Sequence, residues 1–202
     1  MKIDPATMER SDAHNLLVSC VVPRPIAFVS TIGKDGVFDV APYSSFAMLA
    51  VKPMLVGFTT ARRRGSGDKK RTLVNIESSK EFVLNLVTES MAKAMNQASA
   101  FYPADSDKFK AVGLTPVKAD RVKPPMVAES PINMECRVVN ILEFGEFPTL
   151  TTLIIGQVVM VHARDEVCQD GVIQMSRFKA VGRMGGQLYC RASDIFEMRR
   201  PD

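Results

Sequence analysis

Apolar and β-branched residues recur along the chain in short runs separated by glycine, proline and charged turns, the pattern of a strand-rich fold. Ile26–Thr31 and Val37–Val40 flank Gly33-Lys34-Asp35-Gly36, whose glycines tolerate positive φ, so the three pieces predict a β-hairpin. Further strands are predicted at Met54–Thr59, Phe82–Val87, Ile132–Ile141, Thr151–Val161 and Phe196–Met198. Glu81–Val87 alternates poorly between apolar and polar, which fits a strand covered on both faces. Helical periodicity is confined to Glu89–Gln97, a short helix from Arg71 to Ser78, and a turn or two at Asp107–Val112 stopped by Gly113. Within its long strand, Gly156 marks a bulge, a close backbone approach or a packing requirement. The stretch from Gly113 to Pro125, with three prolines and several charges, reads as a surface excursion within one domain.

Length and composition set limits on that picture. A chain of 202 residues that is 46% apolar and 24% charged suits a single soluble domain spanning residues 1–202. No apolar run approaches the roughly 20 residues that span a bilayer, and the first 17 residues carry Asp4, Glu9, Asp12 and His14, unlike a signal peptide. A cytoplasmic protein with no membrane partner is the expectation. Cys20, Cys136, Cys168 and Cys190 are widely spaced without a C-x-x-C pair, so reduced thiols are expected and no metal site is predicted. His14 and His162, the two histidines, have no neighbouring Cys or His and read as structural or exposed.

The net charge of +4 is modest, and its placement matters more than its sum. Arg62-Arg63-Arg64 and Lys69-Lys70-Arg71 put six cations within ten residues, around the flexible Gly65-Ser66-Gly67. A solvated loop, a nucleic-acid contact and a phosphate pocket compete for this cluster. Aromatic residues are missing between the cations and no nucleic-acid motif surrounds them, which argues against nucleic acid. The cluster follows an apolar strand and precedes a helix, whose first amides could join the cations around an anion. The glycines lack both the third glycine of a dinucleotide fingerprint and a P-loop ending. A second segment with chemical character is Ala41-Pro42-Tyr43-Ser44-Ser45-Phe46, where small hydroxyl residues beside a proline suit the edge of a flat polar molecule.

The succession RPIAFVST, a glycine-bounded hairpin, VAPYSSF, KPMLVGFTT and KKRTLVNIESSKEFVLNLV resembles the flavin reductase-like family of FMN-binding split barrels. The likeness is greatest to its flavoredoxin and two-component monooxygenase reductase branch. Later segments, FKAVGLTPVKAD, PPMVAESPINMECRV, IIGQVVMVH, RMGGQLY and FEMRRP, extend it over nearly the whole chain. The resemblance implies a mainly β fold, a six-stranded antiparallel Greek-key split barrel with peripheral helices, and a homodimer.

The resemblance also implies a site. It places the FMN ring against Ala41, Pro42, Tyr43, Ser44, Ser45 and Phe46, with Ser30 and Thr31 on the adjacent strand. The phosphate falls to Thr59, Thr60, Lys70 and Thr72, with Arg62, Arg71 and Asn75 as further partners. FAD is the alternative cofactor and NAD(P)H the transient hydride donor. Two functions follow: an NAD(P)H-dependent flavin reductase that supplies reduced flavin to a monooxygenase, or a flavoredoxin-like carrier reduced by an electron-transfer partner. Three positions depart from the family pattern. Asp39 stands where Asn often precedes Ala-Pro, Arg71 replaces an Asp, and Thr151 lies where many reductases carry a His thought to face the nicotinamide. Catalytic side chains remain unassigned.

Overall fold

The computed structural model describes residues 1–63, 65–103 and 105–201, so Arg64 of the cation cluster lies outside the described residues. Seven strands form one antiparallel sheet: β1 (Ala27–Ile32), β2 (Phe38–Tyr43), β3 (Phe46–Ala50), β4 (Leu55–Ala61), β5 (Glu81–Leu86), β6 (Ile132–Phe144) and β7 (Thr151–Ala163). Their spatial order is β2-β1-β5-β6-β7-β4-β3. The two edge strands, β2 and β3, are therefore consecutive in the chain and joined only by Ser44 and Ser45. Two residues cannot cross an open sheet of this width, so the sheet curls until its edges meet at that corner. This is a split barrel, closed by the chain at the corner and not by a complete hydrogen-bonded ring.

The predicted hairpin forms with Ala27 opposite Tyr43 and Ile32 opposite Phe38. Its turn closes through Gly33 N–H to Val37 O at 3.0 Å, with Gly36 at φ +81°. β1 separates two cores. Ala27 and Val29 face Phe58, Leu73, Ile76, Phe82 and Ile154 inside the curl, whereas Ile26 and Phe28 face Met91, Met95, Phe109 and Val112 outside it. Burial on both faces explains why β1 reads as a continuous apolar run.

Four α-helices flank the sheet: α1 (Arg10–Cys20), α2 (Arg71–Ser79), α3 (Ala92–Gln97) and α4 (Lys108–Val112). α4 starts on the Asp107 carboxylate, which accepts from Lys110 N–H, and stops on left-handed Gly113, as its sequence predicts. α1 has no fully buried residue, so it leaves no helical stripe for a sequence reading to find.

Two expectations are corrected. The sheet has seven strands and not six, because the chain continues past the corner into Phe46–Ala50. Phe196–Met198 is not a strand: it pairs with nothing, and Phe196 and Met198 are exposed. The ambiguity at Gly156 is resolved as packing. A Cβ there would lie 2.4 Å from Phe82 Cζ, and the register shift between Val138 and Asn140, which faces Gly156 and Ile155, puts the extra residue on β6 and not at the glycine itself.

The surface excursion is pinned by a buried carboxylate. Glu135 accepts the amides of Asp120, Arg121 and Val122 and faces His162 Nε2 at 2.6 Å. Burial pushes the Glu135 carboxyl up, but the bonds from His162 and the three amides outweigh it and hold it below its ordinary range. With those acceptor positions occupied, Asp120, Glu135 and His162 make a structural clasp.

Candidate functional site

The corner where the barrel splits opens into a cleft of about 620 Å³. One wall is the predicted segment Pro42, Tyr43, Ser44, Ser45 and Phe46; the floor is Thr59 and Thr60 of β4 with Thr151 of β7. α1 forms the opposite wall through His14, Leu17 and Val18, and Lys70 stands at one end. The corner is held by the Ser45 and Thr59 hydroxyls at 2.6 Å and by Thr59 N–H donating to Ser45 O at 3.2 Å.

Arg24, which sequence reasoning did not single out, ties the cleft together. Its Nε lies 3.5 Å from Ser44 Oγ, and its guanidinium donates to the carbonyls of Val18, Val21 and Met184. It thus joins the end of α1, the Met184 carbonyl and the corner serine. Its one sequence signal is the Arg-Pro that starts the β1 run.

Lys70 also borders two further cavities. One, of about 230 Å³ at the start of α2, is lined by Asp39, Arg63, Lys70, Arg71, Thr72 and Lys108, with Phe101 and Tyr102 at its rim. The other, of about 560 Å³, lies between α1 and the end of β4. Lys70 lines all three spaces. Burial, and then the neighbouring Arg63 and Lys108, lower the Lys70 pKa below its ordinary value. No carboxylate pairs with Lys70 among the described residues.

Unpaired polar atoms mark the same region. Among the described residues the Tyr43 hydroxyl, Thr60 Oγ1, Arg62 Nε and Arg71 Nη2 are buried without a well-formed hydrogen bond, as is Asp39 Oδ1, which instead faces Lys108 Nζ at 2.9 Å; the Thr60 and Thr72 hydroxyls stand beside that of Tyr43. Leaving such groups unsatisfied costs about 1–3 kcal/mol each, so their convergence points to a ligand that accepts from them. Burial pushes the Tyr43 hydroxyl up to about 12, which keeps it a neutral donor. α2 adds amides, since its first turn has no side-chain cap. Hydroxyls, guanidinium groups, an ammonium and free helix amides fit a phosphate joined to a planar polar ring.

The structure divides the predicted site residues into four groups. Pro42, Tyr43, Ser44, Ser45, Phe46, Thr59, Thr60 and Lys70 line the ring cleft; Ala41, Arg71 and Thr72 line the cavity at α2, and Arg62 the one beneath α1. Ser30, Thr31 and Asn75 lie inside the protein and line none of these spaces. Asn75 Nδ2 donates to Thr31 Oγ1 at 3.0 Å, and Ser30 donates to Pro125 O while accepting from Asn85 Nδ2 at 3.1 Å. These bonds hold α2 and the excursion against β1. The Thr72 hydroxyl is likewise committed, donating to Asp39 Oδ2 at 2.9 Å, so only its backbone amide is available to an anion. Two departures from the family pattern acquire partners: Asp39 faces Lys108 Nζ at 2.9 Å, and Arg71 donates to Ser106 O at 2.7 Å.

Comparison with known proteins identifies the family and the fold. Residues 18–182 match the model of the flavin reductase like domain. An uncharacterized protein of Halalkalibacterium halodurans is 34% identical over 100% of this chain and 97% of its own length. Among solved structures, nitrilotriacetate monooxygenase component B from Bacillus cereus superposes with a TM-score of 0.94 at 30% identity, covering 98% of both chains. The 2-nitrobenzoate 2-nitroreductase NbaA of Pseudomonas fluorescens gives 0.90 at 26% identity, covering 100% of this chain and 96% of its own. The chain belongs to the flavin reductase-like family. It is a flavin-binding oxidoreductase of split-barrel fold. No helix among the described residues is long and apolar enough to cross a membrane.

Proposed function

We propose that the protein is an NAD(P)H-dependent flavin reductase whose cleft holds FMN and which supplies reduced flavin to a monooxygenase. The observation that carries this reading is the convergence of unpaired donors and unneutralised cations on Lys70, at the end of a cleft walled by small hydroxyl residues. Ser44, Ser45 and Thr59 offer hydroxyls and backbone groups to the ring edge, and Lys70, Arg71 and the first amides of α2 hold the phosphate. FMN, once bound, would supply a hydride acceptor: the nicotinamide would be oxidised by losing one hydride, which carries both electrons to the flavin.

Small side chains at Ser44 and Ser45 leave the ring face open to a stacked nicotinamide. Thr151 lines the same cleft without an imidazole, so orientation and exclusion of water are what the chain contributes. The oxygenase partner is supported by the likeness to a protein titled as a monooxygenase component. The free thiols suit a reducing compartment such as the cytoplasm.

Anaerobic mixing of the FMN-loaded protein with NADH or NADPH in a stopped-flow cell is expected to bleach the flavin within seconds. No bleaching over many minutes with either nicotinamide, beside rapid bleaching by a reduced electron-transfer protein, identifies a flavoredoxin-like carrier and rejects the reductase.

A homodimer is also proposed. The corner between β3 and β4 exposes Met48, Leu49, Val51 and Met54 together, an apolar patch suited to a two-fold interface. Light scattering is expected to report two chains per particle. A monomer with flavin still bound rejects that assembly.

A further inference from the structure

A flavin would fill the ring cleft and the cavity at the start of α2, and the cavity beneath α1 lies beside both. That space measures about 560 Å³ and is walled by Arg10 and His14 of α1 facing Arg62, Arg63 and Lys70. No carboxylate lines it among the described residues. Arg62 pairs with Glu143 through Nη2 at 2.5 Å, while its Nε stays buried and unpartnered and its side chain is only 10% exposed. Arg10 makes no ion pair among the described residues. His14, Ala61 and Lys70 line both this cavity and the ring cleft, so the two adjoin. α1 is fully exposed or half-exposed throughout, so packing in the core gives no reason for its cation to sit there.

Apart from Arg62, the cations here, Arg10, Arg63 and Lys70, make no ion pair among the described residues, and such unpaired cations raise the local concentration of anions and reward the ligand with most negative charge. The FMN phosphate, held at α2, cannot also occupy this space. A second ligand stacked in the ring cleft can extend a charged arm into it. We propose that the cavity seats the phosphates of the nicotinamide donor, and that Arg10 and Arg63 select the form bearing the extra 2′-phosphate, NADPH, over NADH. The selection rests on the reductase reading for its purpose. A phosphomonoester adds about −1.5 to −2 charge at neutral pH, which a bare ribose hydroxyl does not. Arginine can bind it through two parallel N–H bonds.

The test is calorimetric titration of the FMN-loaded protein with NADP⁺ and NAD⁺, and of both loaded and flavin-free protein with adenosine 2′,5′-bisphosphate and adenosine 5′-monophosphate. NADP⁺ is expected to bind about tenfold or more tightly than NAD⁺, the scale of one charge-assisted contact. Arg10→Glu is expected to bring that ratio near unity and Arg10→Lys to retain part of it, both with FMN affinity unchanged. In turnover, Arg10→Glu raises KM for NADPH and leaves kcat. Equal affinities in the native protein, or an unchanged ratio in Arg10→Glu, overturn the proposal. Failure to take up FMN rejects the reductase reading instead, and the bisphosphate titration of flavin-free protein still decides this one.

Discussion

Replacing Lys70 by alanine is expected to weaken FMN binding on the order of 10- to 100-fold while leaving riboflavin binding nearly unchanged. Lys70 lines all three cavities, so the phosphate loses a charge-assisted contact of about 1.5–3 kcal/mol. Riboflavin, which lacks the phosphate, separates this loss from any damage to the ring cleft. Stability should move the other way. Because the folded-state pKa of Lys70 is lowered, the unfolded chain binds more protons in the window between that value and the ordinary 10.5. Stability therefore rises with pH across that window, and at neutral pH the charged Lys70 opposes folding of the flavin-free protein. Lys70→Ala is then expected to melt no lower than the native protein without flavin, yet gain less from added FMN. A variant with unchanged affinity for both flavins rejects the phosphate assignment.

The second large effect is expected at Asp39. Its carboxylate is fully buried, accepts from Thr72 and faces Lys108, itself only 8% exposed. Removing one partner of a buried ion pair leaves the other charge uncompensated, a loss of about 3–5 kcal/mol. Asp39→Ala should lower the urea midpoint accordingly with an unchanged slope, and Lys108→Met added to it should restore much of the loss. The pair joins β2 to α4 beside the anion cavity, so Asp39→Ala should also weaken FMN. A single variant that loses less than about 1 kcal/mol contradicts this account of the pair.

Much of this was legible in the chain because it rests on contiguous residues. The apolar runs that became β1, β4, β5, β6 and β7 were readable, since burial of a strand imposes composition directly. So were the corner Tyr43-Ser44-Ser45-Phe46 and the cations ahead of α2. Elements that bury little were not readable. α1 has no core face, and Met48 and Leu49 of β3 are exposed, so neither carries a periodic signal. The errors at the site have a related cause. Ser30 and Thr31 were placed beside the ring by the family resemblance, but β1 is covered on both sides here and their hydroxyls serve internal bonds. His14, Arg24 and Lys108 reach the site from distant segments, and only the folded chain brings them there.

The central claim is that the cleft at the split corner binds a flavin through its ring and its phosphate. Titrating flavin-free protein with FMN, following flavin fluorescence and absorbance, tests it most directly. The account predicts saturation at one FMN per chain, a perturbed flavin spectrum, and affinity well above that for riboflavin. Free-flavin fluorescence persisting through the titration, or equal affinity for FMN and riboflavin, would contradict it.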